Sequence, residues 1–126
     1  GELTIRTDKD AGIAVFLMRS DDKVSMVFPN IHEVNNIVAS GTDFVFPAKN
    51  SRMDLEMQTL AGRQKDMEAL FVIAWDKSSK VKVMDIFPDT DPLGFSEFFG
   101  KLSTIGKLIE MKVLPYTVTD VKKGEK

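Results

Sequence analysis

Residues 13–30 read Ile-Ala-Val-Phe-Leu-Met-Arg-Ser-Asp-Asp-Lys-Val-Ser-Met-Val-Phe-Pro-Asn, and this stretch decides the fold. Residues 13–18 are apolar without interruption, which is typical of a strand inside a sheet that is covered on both faces. A polar turn at 20–23 leads into a second strand at 24–28, and Pro29-Asn30 ends it. The stretch therefore predicts a β-hairpin whose first strand is central.

Other strands are predicted on both sides of the hairpin, at 3–7, 44–46, 53–59, 67–75, 81–87 and 108–121. Residues 67–75 are apolar on both faces and are expected beside 13–18. Pro115 interrupts the last strand, which indicates a bulge or an edge position. About seven short strands with no alternating helices predict a mainly β fold, an Ig-like antiparallel β-sandwich, with a small barrel as the alternative.

One late amphipathic helix is predicted after residue 90. Asp91 is a candidate N-cap and Pro92 fits the first helical position. Apolar side chains then recur at helical spacing and share one face, at Phe95, Phe98, Phe99 and Leu102. We expect this helix to close an edge or end of the sandwich and to stop near Gly106. Its apolar stripe could also dock a partner.

The composition bounds the class of protein. A chain of 126 residues fits one domain, predicted over 1–121 with a charged, mobile tail at 122–126. A net charge of −2 argues against non-specific nucleic-acid binding. The chain contains no Cys, which excludes disulfides and thiolate chemistry, and no run is apolar enough to suggest a membrane span. No cofactor is expected. A start at Gly1 is typical of a piece cut from a longer precursor.

Catalytic and metal motifs are incomplete. The one histidine, His32, lies beside Glu33, but residues 94–98 miss the last Gly of a nucleophile elbow. Asp8-x-Asp10-x-Gly12 opens like a calcium loop and lacks the distal Glu. The acidic residues at 85, 89 and 91 fit turns and helix capping. We therefore expect no enzyme, with a paired-carboxylate glycosidase as the only hydrolase still open.

The order of several motifs resembles a known bacterial family. Phe28-Pro29-Asn30 is followed by a Ser40-Gly41 turn, a strand closed by Phe46-Pro47, and an apolar strand ending near Trp75. This order resembles the domain-of-unknown-function family DUF4384 over roughly residues 3–75. The chain departs from the family pattern at 60–62, where Leu-Ala-Gly replaces Pro-Gly. The resemblance implies an extracytoplasmic module, periplasmic or outer-membrane associated, and supplies no catalytic residues.

These observations predict a non-catalytic protein-interaction or assembly module of a bacterial envelope or secreted protein. Its partner would be an envelope protein or a neighbouring domain of a longer chain. The expected surfaces are the loops 31–36 and 62–66 and an unpaired edge strand. The candidate binding residues are Asn30, His32, Asn35, Asn36, Arg63 and Trp75. The alternative is a glycan- or peptidoglycan-binding module in which Trp75 and Tyr116 stack on sugar rings.

Overall fold

A computed structural model of the chain describes residues 3–19, 21–30, 34–46, 67–88 and 91–115. The predicted strand at 53–59, the loop at 62–66, Tyr116 and the tail at 122–126 lie outside the described residues. The described strands are β1 (Leu3–Ile5), β2 (Ala11–Arg19), β3 (Lys23–Phe28), β4 (Ile37–Val38), β5 (Phe44–Phe46), β6 (Met67–Asp76), β7 (Leu93–Gly94) and β8 (Ile109–Pro115).

The predicted hairpin is confirmed and lies at the centre of the larger sheet. Strands β2 and β3 pair antiparallel, with a register shift between Val15 and Phe16. Strand β6 pairs with the other side of β2, from Ala11 opposite Asp76 to Arg19 opposite Met67. The strand order is β7-β3-β2-β6-β8, and β4 pairs with the start of β2. The predicted pairing of the two most apolar strands is therefore confirmed.

The apolar sequence of β2 is explained by burial on both faces of the sheet. Successive side chains of a strand point to opposite faces. On one face, here called the helix face, Phe16 packs with Phe71 and Phe98. On the other, here called the ribbon face, Leu17 packs with residues that include Phe46. Strand β2 thus contributes to two cores at once.

The ribbon face is covered by a second, two-stranded sheet. Strands β1 and β5 pair antiparallel, with Leu3 opposite Phe46. The ring of Phe28 lies 5.1 Å from that of Phe44 and 5.2 Å from that of Phe46, so aromatic contacts join the two sheets. The described strands therefore form the predicted antiparallel β-sandwich, as two open sheets and not as a barrel.

The predicted amphipathic helix is present, but its start and its place in the fold differ from the prediction. Helix α2 (Phe95–Ser103) begins after Gly94, so Asp91 is not its N-cap. Residues before it extend the sheet instead, because Leu93 pairs with Val24. The helix lies over the helix face and not at an edge, since the ring of Phe98 is 4.9 Å from that of Phe16. Of the four residues of the predicted apolar face, Phe98 and Leu102 are buried, Phe99 is half-buried and Phe95 is exposed.

The prediction of an extended segment at 81–87 is wrong. Residues Val83–Ile86 form a short helix, α1, and the Phe87 N–H donates to the Val83 carbonyl at 2.8 Å. Val83 and Phe87 are both buried in the helix-face core. A spacing of four residues places two side chains on the same face of a helix and of a strand alike, so the backbone hydrogen bond identifies the helix and the burial pattern alone does not.

Among the described strands, β8 lies at one edge of the larger sheet. It follows a short 3₁₀ turn at Gly106–Leu108, so the main helix has already ended before Gly106. Its partner is β6, with Phe71 opposite Val113 and Ile73 opposite Met111. Among the described strands β6 is the only one that pairs with β8. The predicted edge position of the last strand therefore agrees with the described sheet.

Candidate functional site

Two parts of the described structure are relevant to binding. One is the end of the sheet where four of the predicted binding residues lie: Asn30, Asn35, Asn36 and Trp75. The other is the edge of β8 that no described strand covers. The remaining predicted binding residues, His32 and Arg63, lie outside the described residues.

Asn36 holds the loop before β4 against β2. Its side-chain Nδ2 donates to the Ile13 carbonyl at 3.2 Å, and its own carbonyl accepts from the Ile13 N–H at 2.9 Å. Asn36 is half-buried, so these two hydrogen bonds satisfy backbone groups near the sheet. The amide of Asn36 therefore has a structural partner, and its presence is explained without a ligand.

The two other asparagines also bond to nearby backbone. Asn35 is exposed, and its Oδ1 accepts from the Ile37 N–H at 3.2 Å, which is an Asx-type turn leading into β4. Asn30 lies just after β3, and its Nδ2 donates to the Val27 carbonyl at 2.8 Å. Of the three, only Asn35 presents an exposed side chain to a partner.

Trp75 lies at the same end of the sheet, but its ring faces inward. It keeps 8% of its surface exposed and belongs to the helix-face core. Trp75 of β6 lies opposite Gly12 of β2. On its other side, Gly12 pairs with Ile37 of β4. A Cβ atom at Gly12 would lie 2.5 Å from Cζ2 of Trp75, so the indole covers the glycine. A ring in this position does not offer a free face for stacking on a sugar.

The acidic residues at this end of the sheet are used by turns. One carboxylate oxygen of Asp10 accepts from the Ser40 N–H at 2.9 Å. Asp76 accepts from both the hydroxyl and the N–H of Ser78, which lowers the pKa of its carboxyl group below the ordinary value. Within the described ranges, no three acidic or histidine side chains are grouped to hold a metal ion.

A small apolar pocket lies between β3 and α2. It holds a cavity of about 10 Å³, roughly the space of one water molecule, and is lined by residues that include Phe16, Met26 and Leu93. Sites that bury drug-sized ligands are typically about 300–1,000 Å³. The pocket is therefore small for such a ligand and is explained by imperfect packing of the helix layer.

The β8 edge is the most exposed apolar part of the larger sheet. Met111 and Val113 keep 41% and 50% of their surface exposed, although both lie on the helix face. We call these two residues the β8 patch. The helix layer stops short of them, because Phe99 of α2 contacts Phe71, the residue beside Val113 on β6. Phe95, next to Phe99, is 40% exposed.

Residue-level prediction did not identify the β8 patch. The sequence signal was the alternation of apolar and charged residues along 109–113, together with Pro115 at the strand end. Such alternation predicts that one face of the strand is buried. Whether a helix covers that face depends on how far α2 extends across the sheet, and the pattern does not contain that information.

Comparison with known proteins identifies one family. A family model described as "Domain of unknown function (DUF4384)" matches residues 2–74. The match covers more than half of the chain, so the chain belongs to this family and the expected resemblance is confirmed. No curated protein and no solved structure matches the chain significantly. In the described part of the chain, no helix is both long and apolar enough to cross a membrane.

Proposed function

We propose that this DUF4384 domain is a non-catalytic protein-interaction module that docks a protein partner along the edge of β8. The observation that carries the proposal is the β8 patch on an edge strand. Exposed edge strands are usually short, charged or covered, because their free backbone groups can pair with another chain. Strand β8 carries the charged residues Glu110 and Lys112, but it has seven residues and two exposed apolar side chains.

The chemistry of the edge fits the addition of an extended partner segment. In β-augmentation, backbone hydrogen bonds provide affinity, and alternate side chains provide specificity. On the helix face a partner strand would meet Met111 and Val113, and on the ribbon face it would meet Glu110 and Lys112. Pro115 lacks an N–H, so it limits the pairing segment to the residues before it.

We further propose that the module works without catalysis, in an extracytoplasmic protein of the bacterial envelope. The first point is supported by the sequence, which has no Cys and one His to serve as nucleophile or base. The second follows the family resemblance. Fractionation of the native cells, with detection of the domain by antibody, tests the location. Recovery from the cytoplasm alone would contradict it.

Site-specific photo-crosslinking tests the docking surface. A benzophenone amino acid is placed at Met111 in the native host, and at Met84 as the control. Met84 of α1 has a similar exposed fraction, 48%, and is not part of the strand to which Met111 belongs. We expect a discrete protein adduct from Met111 that is absent from Met84. Mass spectrometry identifies the adduct, and the added substitution V113K should remove it.

The lysine places a charge on the edge, which discourages strand pairing. The same adducts from Met111 and Met84, or an adduct unaffected by V113K, would contradict docking at β8. Thermal unfolding of V113K checks that the domain itself still folds. Because Val113 is half exposed, we expect its replacement to leave the fold intact.

A further inference from the structure

Strand β8 has a charge pattern that is complementary to itself when the strand is reversed. Glu110 and Lys112 flank Met111, and both are exposed. They share the ribbon face, opposite Ala74 and Val72 of β6. In the described part of the chain, neither forms an ion pair. Two charges of opposite sign thus lie on either side of a central methionine, along an edge with which no other described strand pairs.

We propose that the partner of the β8 edge is a second copy of this chain, paired antiparallel so that Met111 faces Met111. In this register Glu110 of each copy faces Lys112 of the other, and Ile109 faces Val113. The inference rests on the proposed function, because it names the partner for that docking surface. Opposite charges in directly facing positions stabilise an antiparallel pair, and like charges destabilise it.

The charges select this register over its neighbours. Directly facing residues of an antiparallel pair lie on the same face of the joined sheet. A symmetric dimer that joins helix face to helix face can therefore shift only by moving its centre from Met111 to a neighbouring residue. A shift in one direction places Glu110 opposite Glu110 of the second copy. A shift in the other direction places Lys112 opposite Lys112. Only the pairing centred on Met111 gives two opposite-charge contacts.

The expected dimer is weak. It joins one strand of each copy and covers the β8 patch, which places it at the low end of interface sizes. Pairing through β8 would also join the two larger sheets into one continuous sheet and remove the free edge of each. We therefore expect a reversible monomer–dimer equilibrium that becomes visible as the protein concentration is raised.

Charge reversal tests the pairing. Sedimentation velocity over a concentration series compares the wild-type chain with K112E, E110K and the double swap E110K/K112E. Each single reversal replaces two attractive contacts by two repulsive ones and should raise the dissociation constant about tenfold. The double swap should restore dimerisation. The control K23E changes the net charge as K112E does, but on β3, and should leave the equilibrium unchanged.

Mixing the two single variants gives an independent check. E110K carries two lysines on β8, and K112E carries two glutamates. Each should dimerise poorly alone, whereas the mixture should form heterodimers in which all the facing charges are opposite. Circular dichroism of each variant verifies the fold, which should be unaffected because both positions are exposed.

Cysteine crosslinking reads the register directly. The chain contains no Cys, so one introduced thiol per chain reports on one position. At Met111 the two Cβ atoms would lie about 4.5–5.5 Å apart across the dimer axis, so M111C should form an intermolecular disulfide on mild oxidation. V113C is the matched control: its two positions are offset by four residues, about 13 Å, which is too far.

Three results would overturn the inference. The first is a chain that stays monomeric throughout the concentration series. Slow amide hydrogen exchange along β8 in that monomer would show that another part of the same chain covers the edge. The second is a dimer that is indifferent to the charge swaps. The third is crosslinking from V113C as efficient as from M111C. A monomer whose Met111 still photo-crosslinks to a different protein would reject self-pairing and leave docking at β8 supported.

Discussion

Replacing Gly12 by Ala should destabilise the domain, although the same replacement usually stabilises a chain where space allows it. Gly12 lies in β2 opposite Trp75 of β6. An added Cβ atom would be 2.5 Å from Cζ2 of the indole and closer still to Cε2 and Nε1. Carbon atoms in favourable contact are about 3.5–4.0 Å apart. The ring would therefore have to move by at least about 1 Å, the difference between 3.5 and 2.5 Å for Cζ2, and further for the two closer atoms.

The movement is costly because the indole is packed inside the helix-face core. Trp75 is 8% exposed, and its neighbours in that core include Val81 and Val83. Overpacking of a well-packed core typically costs about 1–3 kcal/mol. Domains have about 5–15 kcal/mol of total stability, so the variant should still fold. We expect a loss of about 2 kcal/mol.

Urea denaturation measures the effect, and the chain supplies a matched control. Trp75 is the only tryptophan, so its fluorescence follows unfolding together with circular dichroism. A loss of 2 kcal/mol should lower the midpoint by about 1 M urea. Gly100→Ala is the control, because Gly100 is exposed in α2 and its added Cβ would meet no atom within 4 Å. It should stabilise the domain by about 0.8–1.0 kcal/mol.

A double-mutant cycle with Trp75→Leu identifies the cause. The clashing atoms all belong to the indole, so the cost of Gly12→Ala should disappear once the indole is removed. Both variants in the leucine background are followed by circular dichroism. A Gly12→Ala variant at least as stable as the wild type would refute the reasoning. So would an equal loss in both backgrounds, since it would place the cause in the backbone.

Two further substitutions test the helix layer and the acidic turn. Phe98→Ala should lower the free energy of unfolding by about 3–5 kcal/mol, because the ring is fully buried, whereas Phe95→Ala should cost about 1 kcal/mol or less. Similar losses in urea denaturation would contradict the position of α2. Ser78→Ala should raise the pKa of Asp76 towards its ordinary value, because it removes the hydroxyl hydrogen bond that is the largest cause of the lowering. The lowered pKa stabilises the fold above the ordinary pKa of Asp, and this contribution is lost as the pH falls through the folded-state value, so the variant should lose less stability in acid. Carboxyl chemical shifts of Asp76 measured against pH test this, and an unchanged pKa would contradict it.

The central strands were predictable because their sequence leaves little choice. Residues 13–18 and the stretch before Trp75 are apolar at consecutive positions, and only burial on both faces accommodates this in a strand. The polar turn and Pro29 then fix where the hairpin turns and where its second strand ends. These are local signals, because each apolar run is bounded directly by polar residues or proline. The described pairing of β2 with β3 and β6 agrees with them.

The errors occurred where tertiary contacts overrode local signals. Asp91 and Pro92 have the chemistry of a helix start, yet Leu93 pairs with Val24 and delays the helix to Phe95. Val83 and Phe87 are four residues apart, which places them on one face of a strand or of a helix, so the apolar pattern at 81–87 does not distinguish the two conformations. A segment of four helical residues is short enough for burial to decide its conformation.

The candidate site was the least predictable part for a related reason. An Asn in a loop has the same sequence signature whether it bonds a ligand or the backbone, and the described asparagines bond the backbone. The exposure of Met111 could not be predicted from the sequence pattern either. Its position in an alternating strand predicts burial, and it is exposed because α2 does not extend over β8.

The two sides of the larger sheet differ in a way that is relevant to the proposed docking at β8. On the β3 side, the two-residue strand β7 leads directly into α2, and β3 buries Met26 on the helix face and Phe28 on the ribbon face. Very short edge strands are a common means of preventing unwanted pairing. On the β8 side, seven residues form the edge, and Met111 and Val113 remain exposed. The β8 side also carries charged residues, but its length and its exposed apolar pair distinguish it from the β3 side, and this difference supports the proposal that a partner docks at β8.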